Sequence, residues 1–162
     1  MHNSAILRMM ALLIVANGAP VLAKKICGRR LSFPLDSGAM LSDGQPVFGP
    51  SKTFRGVAAA VLASAAASPL LGVDPKVGAK IGGAAMLGDL VSSFVKRRLN
   101  MPPSSQALGV DQIPESLLAM LACRDTLSLT GTDVALGVTM FFGGELALSR
   151  LLYRIHLRDV PY

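Results

Sequence analysis

"KIGGAAMLGDLVSSFVKRRLN", Lys80 to Asn100, is an apolar run with an aspartate in its middle and three cations near its end. Its first half is built of glycine and alanine, which let membrane helices approach closely where no hydrophobic force drives them together. Asp89, well inside that run, costs a few kcal/mol in a bilayer unless it is paired, hydrated or bound to an ion. On a helix, Asp89, Ser92 or Ser93, Lys96 and Arg97 stand at i, i+3 or i+4, i+7 and i+8 and share one face. A nucleoside triphosphate carrying Mg²⁺ suits that order, with a carboxylate for the metal and cations for phosphate oxygens. A plainer alternative is a positive collar at a helix end, with Asp89 paired to Lys96 or to another helix.

Composition places this run in a membrane protein. Of 162 residues, 51% are apolar and 16% charged, against about a quarter charged in an ordinary soluble domain. The net charge of +6 is spread over short hydrophilic stretches, and aromatics make up 5%. Nucleic-acid binding would want aromatics interleaved with basic residues, so no nucleic-acid partner is expected. Cys27 and Cys123 match no zinc or redox spacing and are expected as free thiols. His2 and His156 lack partners at metal-ligand spacing.

Five apolar segments approach the length of about 20 residues that spans a bilayer: 4–23, 56–73, 77–95, 114–129 and 133–152. The fold expected over 1–162 is therefore an all-α integral membrane protein. It is a single bundle of about five transmembrane helices, with loops 24–55 and 96–113 forming the active site. Lysines and arginines stay on the cytoplasmic side. Lys24, Lys25, Arg29, Arg30, Lys52, Arg55, Lys96, Arg97, Arg98, Arg150, Arg154 and Arg158 fall on one side if the helices alternate, which places the N-terminus outside and the C-terminus and both long loops in the cytoplasm. "VLA" before Lys24 resembles a signal-peptide cleavage site, but the positive cluster follows the apolar core instead of preceding it, so a retained first helix is expected.

The loops add further polar groups. "VFGPSKTFRG", Val47 to Gly56, is not a P-loop, because Pro50 stands where the lysine must follow Gly49. The preceding loop sets Asp36 and Asp43 on turn-forming sequence, then Lys52, Thr53 and Arg55 ahead of a helix. "GVDQIPES" sets Asp111, Gln112 and Glu115 before the fourth segment, with Pro114 near its first turn. Carboxylates and cations from three separate segments thus converge on one membrane face.

In that order, "DSGAMLSDGQPVFGPSKTFRG", "GDLVSSFVKRR" and "VDQ" resemble the CDP-archaeol synthase family, distant relatives of the phosphatidate cytidylyltransferases. "NGAPVLAKK" extends the likeness, with Asn17 and Pro20 placed as in that family. The resemblance implies CTP- and Mg²⁺-dependent transfer of CMP onto a lipid phosphate, releasing pyrophosphate. It implies Asp89 and Asp111 as Mg²⁺ ligands, with Glu115 expected as the third, displaced by one residue, and Lys52, Arg55, Lys96 and Arg97 as phosphate clamps. Lys52, Asp89, Lys96, Arg97 and Asp111 form the expected catalytic set; Asp43, Lys52, Thr53, Arg55, Ser93, Arg98 and Gln112 form the nucleotide-binding set. Two departures stand out. Pro114 occupies the place of a second aspartate expected after Asp-Gln, and "LNMPPSSQALG" replaces a glycine-bearing turn after Lys-Arg-Arg. The rival classes are a small transporter in which Asp89 and Glu145 bind an ion, and an inactive nucleotide-binding scaffold. The bundle's small-residue surfaces also allow a homodimer.

Overall fold

The structure, a computed structural model, describes residues 3–28, 30–103 and 105–154. His2, Arg29, His156 and Arg158 lie outside the described residues. Five α-helices follow in order: α1 Asn3–Cys27, α2 Phe54–Ala67, α3 Pro75–Arg98, α4 Gln112–Ala122 and α5 Gly131–Arg154. The first, 25 residues long, carries Pro20 in its interior, which removes one backbone donor and loosens the helix at that turn.

Thr53 starts α2. Its backbone is extended and its side-chain hydroxyl oxygen accepts the Gly56 N–H at 3.2 Å, satisfying one of the orphan donors of a first helical turn. The helix tightens into a 3₁₀ turn over Ser68–Leu71 and stops at Gly72, whose φ of 66° is the left-handed conformation of a C-cap. Thr53→Ala is expected to cost about 1 kcal/mol. In detergent this reads as a melting temperature lower by about 2–4 °C; an unchanged value would show the cap to be dispensable.

α3 is the central element, packed against α2 on one side and α4 on the other, while α1 lies against α2 and α5 against α4. Missing side chains make the contacts of α3 possible. A Cβ on Gly78 would stand 2.5 Å from the Ser64 carbonyl oxygen, and one on Gly82 would stand 2.8 Å from that of Ala60. Hence α2 and α3 touch backbone to backbone, the small-residue packing of membrane helices. The distribution of polarity fits the same setting. Ser64, Ser68, Ser92, Ser93 and Ser116 are buried, while Leu7, Ile14, Val21, Leu22, Leu62, Leu70, Leu87 and Val91 face outward.

Among the described residues, two helical stretches are long and apolar enough to cross a membrane: Asn3–Cys27, with a mean hydropathy of 1.9, and Phe54–Leu71, with 1.5. The expected fourth segment, 114–129, takes a different form. α4 has 11 residues, a rise of about 16 Å, roughly half of a hydrocarbon core. Beyond Ala122 the chain turns locally, with Leu127 N–H donating to Cys123 O at 3.0 Å and Leu129 N–H to Arg124 O at 2.8 Å. Thr130 and the buried Asp133 then open α5, the Thr130 N–H and hydroxyl donating to Asp133 Oδ2 at 3.0 and 2.7 Å. Arg124 and Asp125 are exposed on that turn, which is why an apolar count across 114–129 overran the helix.

Candidate active site

The segment between α1 and α2 is organised by Asp36. Its Oδ2 accepts the backbone N–H of Gly49 at 2.7 Å and of Phe48 at 2.9 Å, and its Oδ1 that of Gly38 at 3.1 Å. Burial pushes this carboxyl up, but the N–H groups of Gly49, Phe48 and Gly38 and its own outweigh that and hold it below the ordinary aspartate value. The loop so folded delivers Lys52 to the side of α3.

Lys52 meets Asp89 there, Nζ lying 2.7 Å from Oδ1 and 2.6 Å from Oδ2. One cation thus spans both oxygens of the aspartate embedded in α3. A second pair forms two turns further along, where Lys96 Nζ lies 2.6 Å from Asp111 Oδ1 and donates to the Ser105 carbonyl at 2.9 Å. Asp111 Oδ2 accepts the Ala107 N–H at 2.9 Å, which folds the 105–111 turn around the pair. Ser92, not Ser93, links α3 to that turn: its hydroxyl donates to Gly88 O at 2.9 Å and reaches Asp111 O at 3.5 Å. Ser93 is buried beside it. Gln112 Oε1 accepts the Gly109 N–H at 2.9 Å and closes the same turn.

Arg97 is different. Only 2% of it is exposed, and it lies beneath both loops, its Nη2 donating to Pro102 O at 2.9 Å and its Cδ facing Gly49. Its Nε has no hydrogen-bond partner, and among the described residues no carboxylate pairs with it.

Arg55, an expected phosphate clamp, and Arg98, of the expected nucleotide-binding set, are both engaged within the protein. Arg55 Nη1 donates to Gly28 O at 3.0 Å and Arg30 O at 2.5 Å, tying the start of α2 to the end of α1. Arg98 stacks over Phe94 at 5.2 Å, pairs with Asp43 Oδ2 at 2.6 Å and donates to Pro46 O at 2.6 Å. Asp43 and Arg98 therefore fasten the loop to α3, and Thr53 caps α2. Glu115 is buried, its side chain hydrogen-bonded by Asn17 and its Oε1 without a partner.

Between α1, α2 and α3 lies a cavity of about 260 Å³ reached by Asn17, Pro20, Val21, Lys24, Lys52 and Asp89. In sequence Lys24 bears on orientation and on the "NGAPVLAKK" likeness, with no place in the expected site. Asn17, Pro20 or Val21, and Lys24 follow one another at i, i+3 or i+4, and i+7, so helical spacing alone places them on one face.

Residues 76–162 match the CarS-like family, described as CDP-archaeol synthase. The CDP-archaeol synthase of Hyperthermus butylicus is 35% identical over 165 residues, an alignment covering 92% of this chain and 90% of that one. The chain belongs to the CDP-archaeol synthase family. The Pyrobaculum calidifontis member is 40% identical over 116 residues, covering 66% of each chain, and the Pyrococcus furiosus member 37% over 139 residues, covering 80% and 83%. A solved structure of an intramembrane enzyme for archaeal membrane lipid biosynthesis superposes with a TM-score of 0.73 at 27% identity, covering 87% of this chain and 90% of that one. This member of the CDP-archaeol synthase family therefore has its lysine–aspartate pairs within a shared helical frame.

Does the donor set suit Mg²⁺? Among the described residues, no three His, Cys, Asp or Glu side chains stand close enough to enclose an ion. A Mg²⁺ that arrives on a nucleotide needs no such cage. It keeps several waters and takes one or two carboxylates with substrate phosphates, and Asp89 and Asp111, each paired with one lysine, are ligands of that type.

Proposed function

We propose that this chain is an integral membrane enzyme that transfers CMP from CTP to a lipid monophosphate, giving a CDP-lipid and pyrophosphate. Arg97 carries this reading. A guanidinium shielded beneath two loops with no carboxylate partner among the described residues is costly, and a ligand bringing phosphate charge offsets that cost. The names of the family's members point to the same chemistry.

In the reaction, an oxygen of the lipid monophosphate forms a bond to the α-phosphorus of CTP. The bond from that phosphorus to the bridging β-phosphate oxygen breaks, and pyrophosphate leaves with the electron pair. A dianionic lipid phosphate has no proton to lose at the attacking oxygen, so positioning and charge neutralisation do the work. Lys52, Lys96 and Arg97 hold phosphate oxygens, the two lysines exchanging their carboxylate partners for phosphate. Asp89 and Asp111 would hold Mg²⁺, which when bound neutralises phosphate charge. Glu115 stands as a reserve carboxylate behind the Pro114 departure, while Asp43, Thr53, Arg55, Ser93, Arg98 and Gln112 shape the loops around the nucleotide.

The topology in this reading has five crossings, the N-terminus outside and the C-terminus and active site cytoplasmic. α4 makes the fourth crossing over only part of the hydrocarbon core, and the turns at 123–130, with Arg124 and Asp125 exposed, lie at the outer interface before α5 returns. The test uses purified protein in detergent with labelled CTP, Mg²⁺ and a panel of phosphorylated lipids. Labelled CDP-lipid should appear with at least one lipid monophosphate and with no phosphate-free lipid. No transfer to any of them, together with no Mg²⁺-dependent CTP binding, overturns the proposal.

A further inference from the structure

We infer that the cavity between α1, α2 and α3 seats the monoester phosphate of the acceptor lipid, with the lipid chains leaving past Val21. This inference rests on the cytidylyl-transfer reading and adds where its second substrate sits.

The cavity has one polar end and one apolar side. Asn17, Lys52 and Asp89 form the polar end, and Met86, Leu90 and Val57 form the apolar side. Its volume of about 260 Å³ lies just below the range of about 300–1,000 Å³ that holds drug-sized ligands. A phosphate with its glycerol fits that space better than a base, a sugar and three phosphates together. The mouth is marked by Val21 and Lys24, both exposed. Ile14, Val21, Leu22 and Ile26 make the outer surface of α1 there apolar, so the opening adjoins a surface suited to hydrocarbon. Lys24 has no carboxylate partner among the described residues, and a cation at the end of an apolar helix sits at headgroup depth.

The second lysine–aspartate pair has different surroundings. Lys96 and Asp111 are enclosed by backbone from Ser105 and Ala107, with Lys96 next in sequence to Arg97, which among the described residues pairs with no carboxylate. That polar, loop-built enclosure suits the triphosphate. Each of the two lysine–aspartate pairs at α3 then meets the phosphate of a different substrate.

Val21→Trp obstructs the mouth, and Lys24→Glu reverses its charge at an exposed position that does not threaten folding. Two measurements are made on wild type and both variants. One is binding of dioctanoylglycerol phosphate, without CTP, against dioctanoylglycerol. The other is the KM for lipid phosphate and for CTP in turnover. Each variant should weaken lipid-phosphate binding and raise the lipid KM by about tenfold, the size of one lost charge-assisted contact, with the KM for CTP within twofold of wild type. A CTP KM that rises in step, a lipid KM that stays at the wild-type value, or equal binding of the phosphate-free diglyceride overturns the assignment. If the wild type transfers CMP but Lys24→Glu leaves the lipid KM unmoved, the cavity assignment fails and the proposed function stands. If no lipid is turned over while phosphate-dependent binding is present and lost in the variants, the seat stands and the proposed function fails.

Discussion

Asp89→Asn is expected to lower CMP transfer by about 10²–10³-fold, the usual loss when a preorganised charge at the reacting centre is removed, with little change in melting temperature. The stability side follows from exposure. The Lys52 and Asp89 side chains are 22% and 27% accessible, and ion pairs that water reaches contribute about 1 kcal/mol or less. Function responds differently, because the carboxylate has two duties. It holds Lys52 through both oxygens, and in the proposed reaction it faces the metal-bearing nucleotide. An amide keeps one acceptor oxygen for Lys52 but has no charge for a cation. Lys52→Gln should cost a comparable factor, and the double variant should lose little more than either alone, since groups acting as a unit are non-additive. Initial rates with labelled CTP and a lipid monophosphate, with unfolding followed in detergent, check both halves. An Asp89→Asn protein that keeps more than a tenth of wild-type activity would remove Asp89 from the reacting centre.

The sequence named many of the residues that gather here. The spacing of Asp89, Lys96 and Arg97 placed them on one helix face, and the loop motifs pointed to Lys52 and Asp111 as their company. What the sequence withheld is which cation answers which carboxylate. Lys52 and Asp89 are far apart along the chain, and the alternative pairing of Asp89 with Lys96 had the better local spacing. Lys96 turned instead to Asp111, because the turn at 105–111 wraps around its Nζ. Arg55 and Arg98 show the same limit. An arginine at a helix end has one appearance in sequence whether it holds a phosphate or a group of the protein, and here Arg55 holds carbonyls while Arg98 holds a carbonyl and the Asp43 carboxylate. The short α4 was hidden for another reason: hydropathy counts apolar residues but does not register that Arg124 and Asp125 end a helix. Asp36 could have been found as the loop's organiser, since an aspartate two residues before a glycine is a turn signal; that its second oxygen reaches Phe48 and Gly49 is a tertiary fact.

The largest structural effect is expected at Gly88. A Cβ built there lands on the backbone of Pro114 and Glu115, with the Glu115 nitrogen 2.5 Å away. Backbone cannot rotate aside as a side chain can, so α4 must move bodily or the contact must open. Gly88→Ala is therefore expected to cost about 3 kcal/mol, the upper part of the usual overpacking range. That is a fall in melting temperature of roughly 6–12 °C for a chain of this size. Helix propensity alone predicts the opposite sign, because alanine is favoured over glycine in a helix interior by about 1 kcal/mol. Gly83 separates the two effects on the same helix. A Cβ at Gly83 has its nearest neighbour at 3.9 Å, the Val61 Cγ2, an ordinary contact, so Gly83→Ala should leave the melting temperature equal or raise it slightly. The site responds to Gly88 as well. Displacing Pro114 and Glu115 shifts Asp111 and Gln112 at the start of α4, and Ser92 loses its reach to the Asp111 carbonyl. Gly88→Ala should then lose CMP transfer even below its lowered melting temperature, whereas Gly83→Ala should keep it. Equal melting temperatures for the two variants would mean that α3 and α4 are not in the backbone contact that sets Asp111 beside Lys96.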